Sequence, residues 1–179
     1  MSEVIEAPSS LSAPTQIVID AINESIEHYK REAEMIVAAY WQWVEESNKQ
    51  LRASKAIGEN LKKRTAYMGP RVEYRPSGRY TKLIPNWVFY PYSEKRMNSP
   101  KNFKNGERIK PGANKEYALS KLLKTSVGWD GRKIIETEKM LMPIREKLEA
   151  LHEAKVSLER RETRIQRIAN KYEESGNGE

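Results

Sequence analysis

A chain of 179 residues with 38% hydrophobic and 32% charged residues has room for one domain with a core, but too little apolar content for a compact α/β enzyme of that length. The formal net charge of +7 and a pI near 9.5 point to anionic partners, nucleic acid first. The absence of cysteine excludes disulfides, thiolate catalysis and cysteine-ligated metals.

Residues 1–14 are rich in Ser, Pro and Ala and read as a disordered tail. With Glu3 and Glu6 and no basic run they do not resemble a secretory signal. No apolar run reaches the roughly 18 residues of a membrane helix, so a soluble, cytoplasmic protein is expected. A long helix is expected over 15–64, with Ser12 as a possible cap and Pro14 in the first turn. Its apolar seam is Ile19, Ile22, Ile26, Tyr29, Ala33, Ile36, Tyr40 and Trp43, at the alternating steps of a heptad. Beyond Trp43 that seam decays through Ser47, Gln50 and Ser54.

Residues 65–131 change character and read as a small α+β head. Two runs rich in Val, Tyr, Trp and Phe flank Pro76-Ser77-Gly78, predicting a β-hairpin with strands near 71–75 and 79–84 and a further strand at 86–90. Residues 98–114 read as loop with a short strand at 107–110, and 115–126 as a short helix. A second long helix is expected over 132–174, with 175–179 as a tail. Its seam is Leu141, Ile144, Leu148, Leu151, Lys155, Leu158, Glu162, Ile165, Ala169 and Tyr172. Pro143 inside it should start a new helix or kink a longer one. The expected fold class is mainly α with a small β-hairpin element (α+β): two long, antiparallel, coiled-coil-like helices flanking a basic head. Pairing within one chain or between the chains of a homodimer is left open.

The charge is unevenly spread. Residues 62–133 hold 18 Lys and Arg against 5 Asp and Glu, a net of +13, while the rest of the chain is at −6. Such a segment releases condensed counterions when it meets a polyanion, which favours binding to nucleic acid, double-stranded DNA first. Candidate phosphate contacts are Arg71, Arg75, Arg79, Lys82, Lys101, Lys104, Arg108, Lys110 and Lys115. Asn102, Asn105 and Arg108 are candidates for reading base edges. The competing readings are a docking surface for an acidic protein and plain solvation. The aromatic run Trp87-Val88-Phe89-Tyr90 could stack on bases but fits the buried face of a sheet better.

No enzyme is expected. His28 and His152 lie beside the helical seams, and the tyrosines of the basic segment (Tyr67, Tyr74, Tyr80, Tyr90 and Tyr92) have no histidine near them in sequence. No HExxH, phosphate-cradling loop or GxSxG occurs, so neither a metal nor a cofactor is called for.

The aromatic pair in Tyr40-Trp41-Gln42-Trp43, the basic hairpin segment, Ile109-Lys110-Pro111-Gly112 followed by Tyr117-Ala118-Leu119, and the long helix from Arg132 together resemble MobI-type conjugative transfer proteins, over most of residues 25–160. The resemblance implies an accessory factor that acts at the origin of transfer beside a relaxase.

Overall fold

The structure is a computed structural model, and it describes residues 11–53, 66–78, 80–90, 106–112 and 116–176, the side chains of 173–176 excepted. The described elements are helix α1 (Ala13–Ala53), strands β1 (Met68–Ser77), β2 (Tyr80–Phe89) and β3 (Glu107–Arg108), and helices α2 (Leu119–Thr125) and α3 (Gly131–Gly176). The fold is therefore mainly α with a small antiparallel sheet, as the sequence predicts. Chain contacts divide it into two units, Met1–His28 with Leu148–Glu179, and Tyr29–Lys147.

In the first unit, the start of α1 lies beside the later part of α3. The Ser12 N–H donates to Glu162 Oε1 and the Thr15 hydroxyl to Glu162 Oε2, both at 3.0 Å, and Lys155 Nζ donates to Asn23 Oδ1 at 2.8 Å. As one partner advances from 15 to 23 the other retreats from 162 to 155, so the segments run antiparallel within a single chain. Hydrogen bonds with the Ser12 side chain, the Ser12 N–H and the Thr15 hydroxyl hold the Glu162 carboxyl below the usual carboxylate range. Lys155 and Glu162, the two polar breaks in the predicted seam, are thus the residues that tie α3 to α1 here.

In the second unit, the core gathers Tyr40 and Val44 from α1, Met68 and Trp87 from the sheet, Ile109, Tyr117, Leu122 from α2 and Ile134 from α3. Every residue of the predicted α1 seam from Ile19 to Trp43 is buried or half-buried. Past Tyr40 the buried positions become Val44 and Asn48, two four-residue steps, so the stripe leaves the heptad there. Asn48 is buried because its side-chain amide clamps Ala66: its Oδ1 accepts from the Ala66 N–H at 3.0 Å and its Nδ2 donates to the Ala66 carbonyl at 3.2 Å. Residues 54–65, expected to continue the helix, lie outside the described residues.

β1 and β2 pair antiparallel from Met68↔Phe89 to Ser77↔Tyr80, with Gly78 at φ 61° in the turn, a conformation that suits glycine. The strands are longer than expected, and the separate strand predicted at 86–90 is instead the second half of β2. Pro85 does not break it, for a directional reason. Trp87 spends its N–H on the Tyr117 hydroxyl and its carbonyl on the Ile109 N–H, so that parity of β2 points away from β1. Pro85 has the same parity, and a missing N–H on that side removes no bond to β1. Among the described residues β3 pairs with β2 at Val88↔Arg108 and Phe89↔Glu107.

Asp130 precedes α3. Its carboxylate accepts from the Val127 N–H at 3.1 Å and from the Ser126 hydroxyl, and its carbonyl accepts from the Ile134 N–H at 3.0 Å. α3 then runs as one helix through Pro143 to Gly176, which settles the two options for that proline in favour of a single longer helix.

Candidate nucleic-acid interface

Strand alternation sorts the hairpin's side chains onto two faces. One face carries Tyr74, Val72 and Pro70 opposite Leu83, Pro85 and Trp87. Several contacts with the long helices come from this face, and near the hairpin base Trp41 of α1 also covers Gly69 on the other one. Lys30 of α1 sits over the Tyr74 ring at 5.5 Å, Tyr40 meets Trp87 edge-on at 5.4 Å, and Trp87 Nε1–H donates to Glu138 Oε2 of α3 at 2.7 Å. Trp87 and Val88 have no exposed surface, so the aromatic run is core, as expected, and not a stacking platform.

The joint with α3 is ionic. Arg145 reaches Glu138 through two bonds of 3.1 and 2.7 Å, donates from Nε to the Pro85 carbonyl at 3.1 Å, and lies over the Tyr117 ring at 4.8 Å. The two side chains are only 10% and 7% exposed. Burial raises the Tyr117 phenol above its usual range, against the lowering effects of its bond to Trp87 and of the Arg145 charge. Burial likewise raises Tyr40, aided by the Asp130 charge, so its hydroxyl stays a donor, and it donates to the Met68 carbonyl at 2.9 Å. Trp41 Nε1–H donates to the Pro70 carbonyl at 2.9 Å. The base of the hairpin is thereby fixed at several points, while Tyr74, Pro76, Ser77, Gly78 and Thr81 toward the turn are exposed.

The second face carries Arg71, Glu73 and Arg75 on β1, opposite Asn86, Ile84 and Lys82 on β2. The β2–β3 register adds Arg108, which pairs with Val88 and is exposed. Four of the basic residues singled out in the sequence, Arg71, Arg75, Lys82 and Arg108, thus share one face of the sheet. Lys110 is exposed just beyond β3, and its carbonyl accepts from Lys121 Nζ at 2.6 Å. Arg79, Lys101, Asn102, Lys104, Asn105 and Lys115 lie outside the described residues.

In the sequence Glu73 is one of the five acids of the basic segment, with no spacing that marks it as a metal ligand. In the structure it bridges two of the candidates, taking Arg71 on one carboxylate oxygen and Arg75 on the other. Burial pushes the Glu73 carboxyl up, but hydrogen bonds from Arg75 and Arg71 and their charges outweigh that and hold it below the usual carboxylate range. Glu73 and Arg75 are 19% and 16% exposed, Arg71 41%. The i, i+2 spacing of strand residues was the available signal for this triad. Among the described residues no group of three metal-ligating side chains occurs, and no helix is long and apolar enough to cross a membrane.

Comparison with protein families matches residues 29–159 to the family model described as MobI protein. No curated protein and no solved structure gives a significant match.

Proposed function

This chain belongs to the MobI family, which ties it to mobilisation in conjugative transfer, and we propose that it serves there as a non-enzymatic, DNA-binding accessory factor. In this reading the protein recognises double-stranded origin-of-transfer DNA through its basic segment and assists a relaxase. The observation that carries the reading is the concentration of charge, a net of +13 over residues 62–133, with Arg71, Arg75, Lys82 and Arg108 on one face of the sheet. Arg79, Lys101, Lys104, Lys110 and Lys115 extend the same phosphate-contacting set in sequence. Asn102 and Asn105 remain candidates for base contacts.

The test is fluorescence anisotropy with an origin-of-transfer duplex and a scrambled duplex of equal length, over a salt series. A preference for the native duplex that survives near-physiological salt is expected, because the nonspecific electrostatic part of binding dies fastest with salt. Equal, salt-labile binding to both duplexes overturns origin recognition. Reversing the charge of Lys101 and Lys104 should weaken binding and flatten the salt slope; an unchanged slope removes that loop from the interface.

One observation favours a second reading, an adaptor that docks a protein partner. Ile165 and Tyr172, on the α3 seam beyond Glu162, are 60% and 75% exposed, and Ile168 beside the seam is 46% exposed. A stable complex with a purified relaxase that forms without DNA would support it.

A further inference from the structure

We propose that Arg71 is a base-reading residue specific for guanine, and that Glu73 and Arg75 are the residues that position it. This rests on the DNA-binding reading above and goes beyond it, since the sequence suggests only phosphate contacts for these arginines. Phosphate attraction alone has no use for Glu73. A carboxylate between two guanidinium groups cancels one of their charges, which weakens a purely electrostatic surface. What the carboxylate supplies is direction. Arg75 and Glu73 form the more shielded pair, at 16% and 19% exposure, and Glu73 in turn holds Arg71, which is 41% exposed.

A guanidinium has five N–H donors in a fixed planar fork. With its orientation set by Glu73 it loses less freedom on forming the paired bonds to guanine O6 and N7 that arginine makes in the major groove. The support fits that use. The triad lies on the hairpin face that carries Lys82 and Arg108, on the turn side of Gly69, which Trp41 of α1 covers, and among the described residues β3 pairs with β2 at Val88 and Phe89. Among the described residues, Arg71 to Arg75 and their partners form a two-stranded ribbon, an element the major groove admits. Lys82, directly across from Arg75, stands where a flanking phosphate contact would be made.

The experiment compares the full-length protein with the variants E73Q and R71K, by anisotropy, on the origin-of-transfer duplex, a scrambled duplex, and the origin duplex with its guanines replaced by 7-deazaguanine. Thermal unfolding of each variant is recorded alongside. E73Q removes the negative charge, so binding to the scrambled duplex should hold or tighten, while preference for the origin duplex falls about fivefold or more, the scale of one good bidentate base contact. R71K keeps the charge and loses the fork, so it should show the same loss of preference with an unchanged salt slope. The 7-deazaguanine duplex, lacking the N7 acceptor, should weaken wild type and leave R71K little changed.

A merely structural triad would lower the unfolding temperature and weaken binding to all duplexes in proportion, and that pattern overturns the inference. So does a preference that R71K retains in full. A wild-type protein that binds no duplex removes the DNA reading itself, whereas binding with intact preference in both variants removes only the role given to Arg71 and Glu73.

Discussion

Replacing Arg145 with methionine should be among the most damaging single changes in this protein. Its guanidinium makes two bonds to Glu138 and one to the Pro85 carbonyl, and the pair is 10% and 7% exposed. In R145M the stem is replaced at similar volume, so packing is nearly kept. The Glu138 carboxylate is left with Trp87 Nε1–H as its remaining donor among these groups, and Pro85 loses its partner. Removing one member of a buried ion pair costs about 3–5 kcal/mol, because the other charge stays buried and uncompensated. At about 2–4 °C per kcal/mol for a chain of this size, the unfolding temperature should drop by ~6 °C or more. Tryptophan fluorescence in urea is the appropriate assay, because Trp41, Trp43, Trp87 and Trp129 all lie within Tyr29–Lys147 and report that unit alone. The double variant E138Q/R145M removes both charges and keeps an oxygen for Trp87, so it should recover more than half of the loss. A cost below about 1 kcal/mol for R145M would place the pair in the class of solvent-screened surface bridges and refute the argument.

Three further outcomes follow from the packing and the charges. Gly69→Ala would set a Cβ 2.4 Å from Trp41 Cζ2, so the ring must shift and stability should fall by about 1–3 kcal/mol, read by the same fluorescence transition. Asn48→Ala removes both bonds to the Ala66 backbone and leaves a buried N–H and C=O unpaired, which should cost about 1–3 kcal/mol; a neutral result would mean that water reaches Ala66. Because Glu73 is held below its ordinary range, its contribution to stability is present above the unfolded carboxyl value of about 4.3 and is lost as pH falls through the folded one. The stability difference between wild type and E73Q should therefore shrink on acidification from pH 7, and a difference that grows would contradict that sign.

Much of the framework is written in periodicity. The α1 seam, the start of α3 near Arg132, the hairpin around Gly78 and the core role of Trp87 all follow from local spacing and turn chemistry. The heptad reading fails past Tyr40 because α1 there packs into the mixed core with Met68, Trp87 and Leu122, and no single partner helix imposes a seven-residue repeat. Asn48 breaks the apolar pattern for a partner 18 residues away, which no window of sequence contains. Glu138 and Arg145 look like ordinary helix-surface charges until Trp87 and Pro85 are placed beside them. The basic face was legible as a count of charges. Its geometry required the β-register, which puts Arg71, Arg75, Lys82 and Arg108 together and turns Glu73 from an offset into a bridge.

These two ionic arrangements bear on each other. An arginine can report on a base only if its origin is fixed, since a guanidinium on a loose strand attracts phosphate from any direction. The hairpin base is fixed by Trp87, Glu138, Arg145 and the Tyr40 and Trp41 bonds to Met68 and Pro70, immediately before Arg71 in sequence. Arg71 therefore leaves the anchored part of β1 within one residue of a pinned carbonyl, and Glu73 constrains the far end of its side chain. Loosening the anchor should then act like loosening the buttress. R145M, assayed below its unfolding transition, should lose preference for the origin duplex while its salt slope stays that of wild type. If R145M keeps full preference despite its lost stability, the anchor and the reading residue are independent, and the hairpin base serves the fold alone.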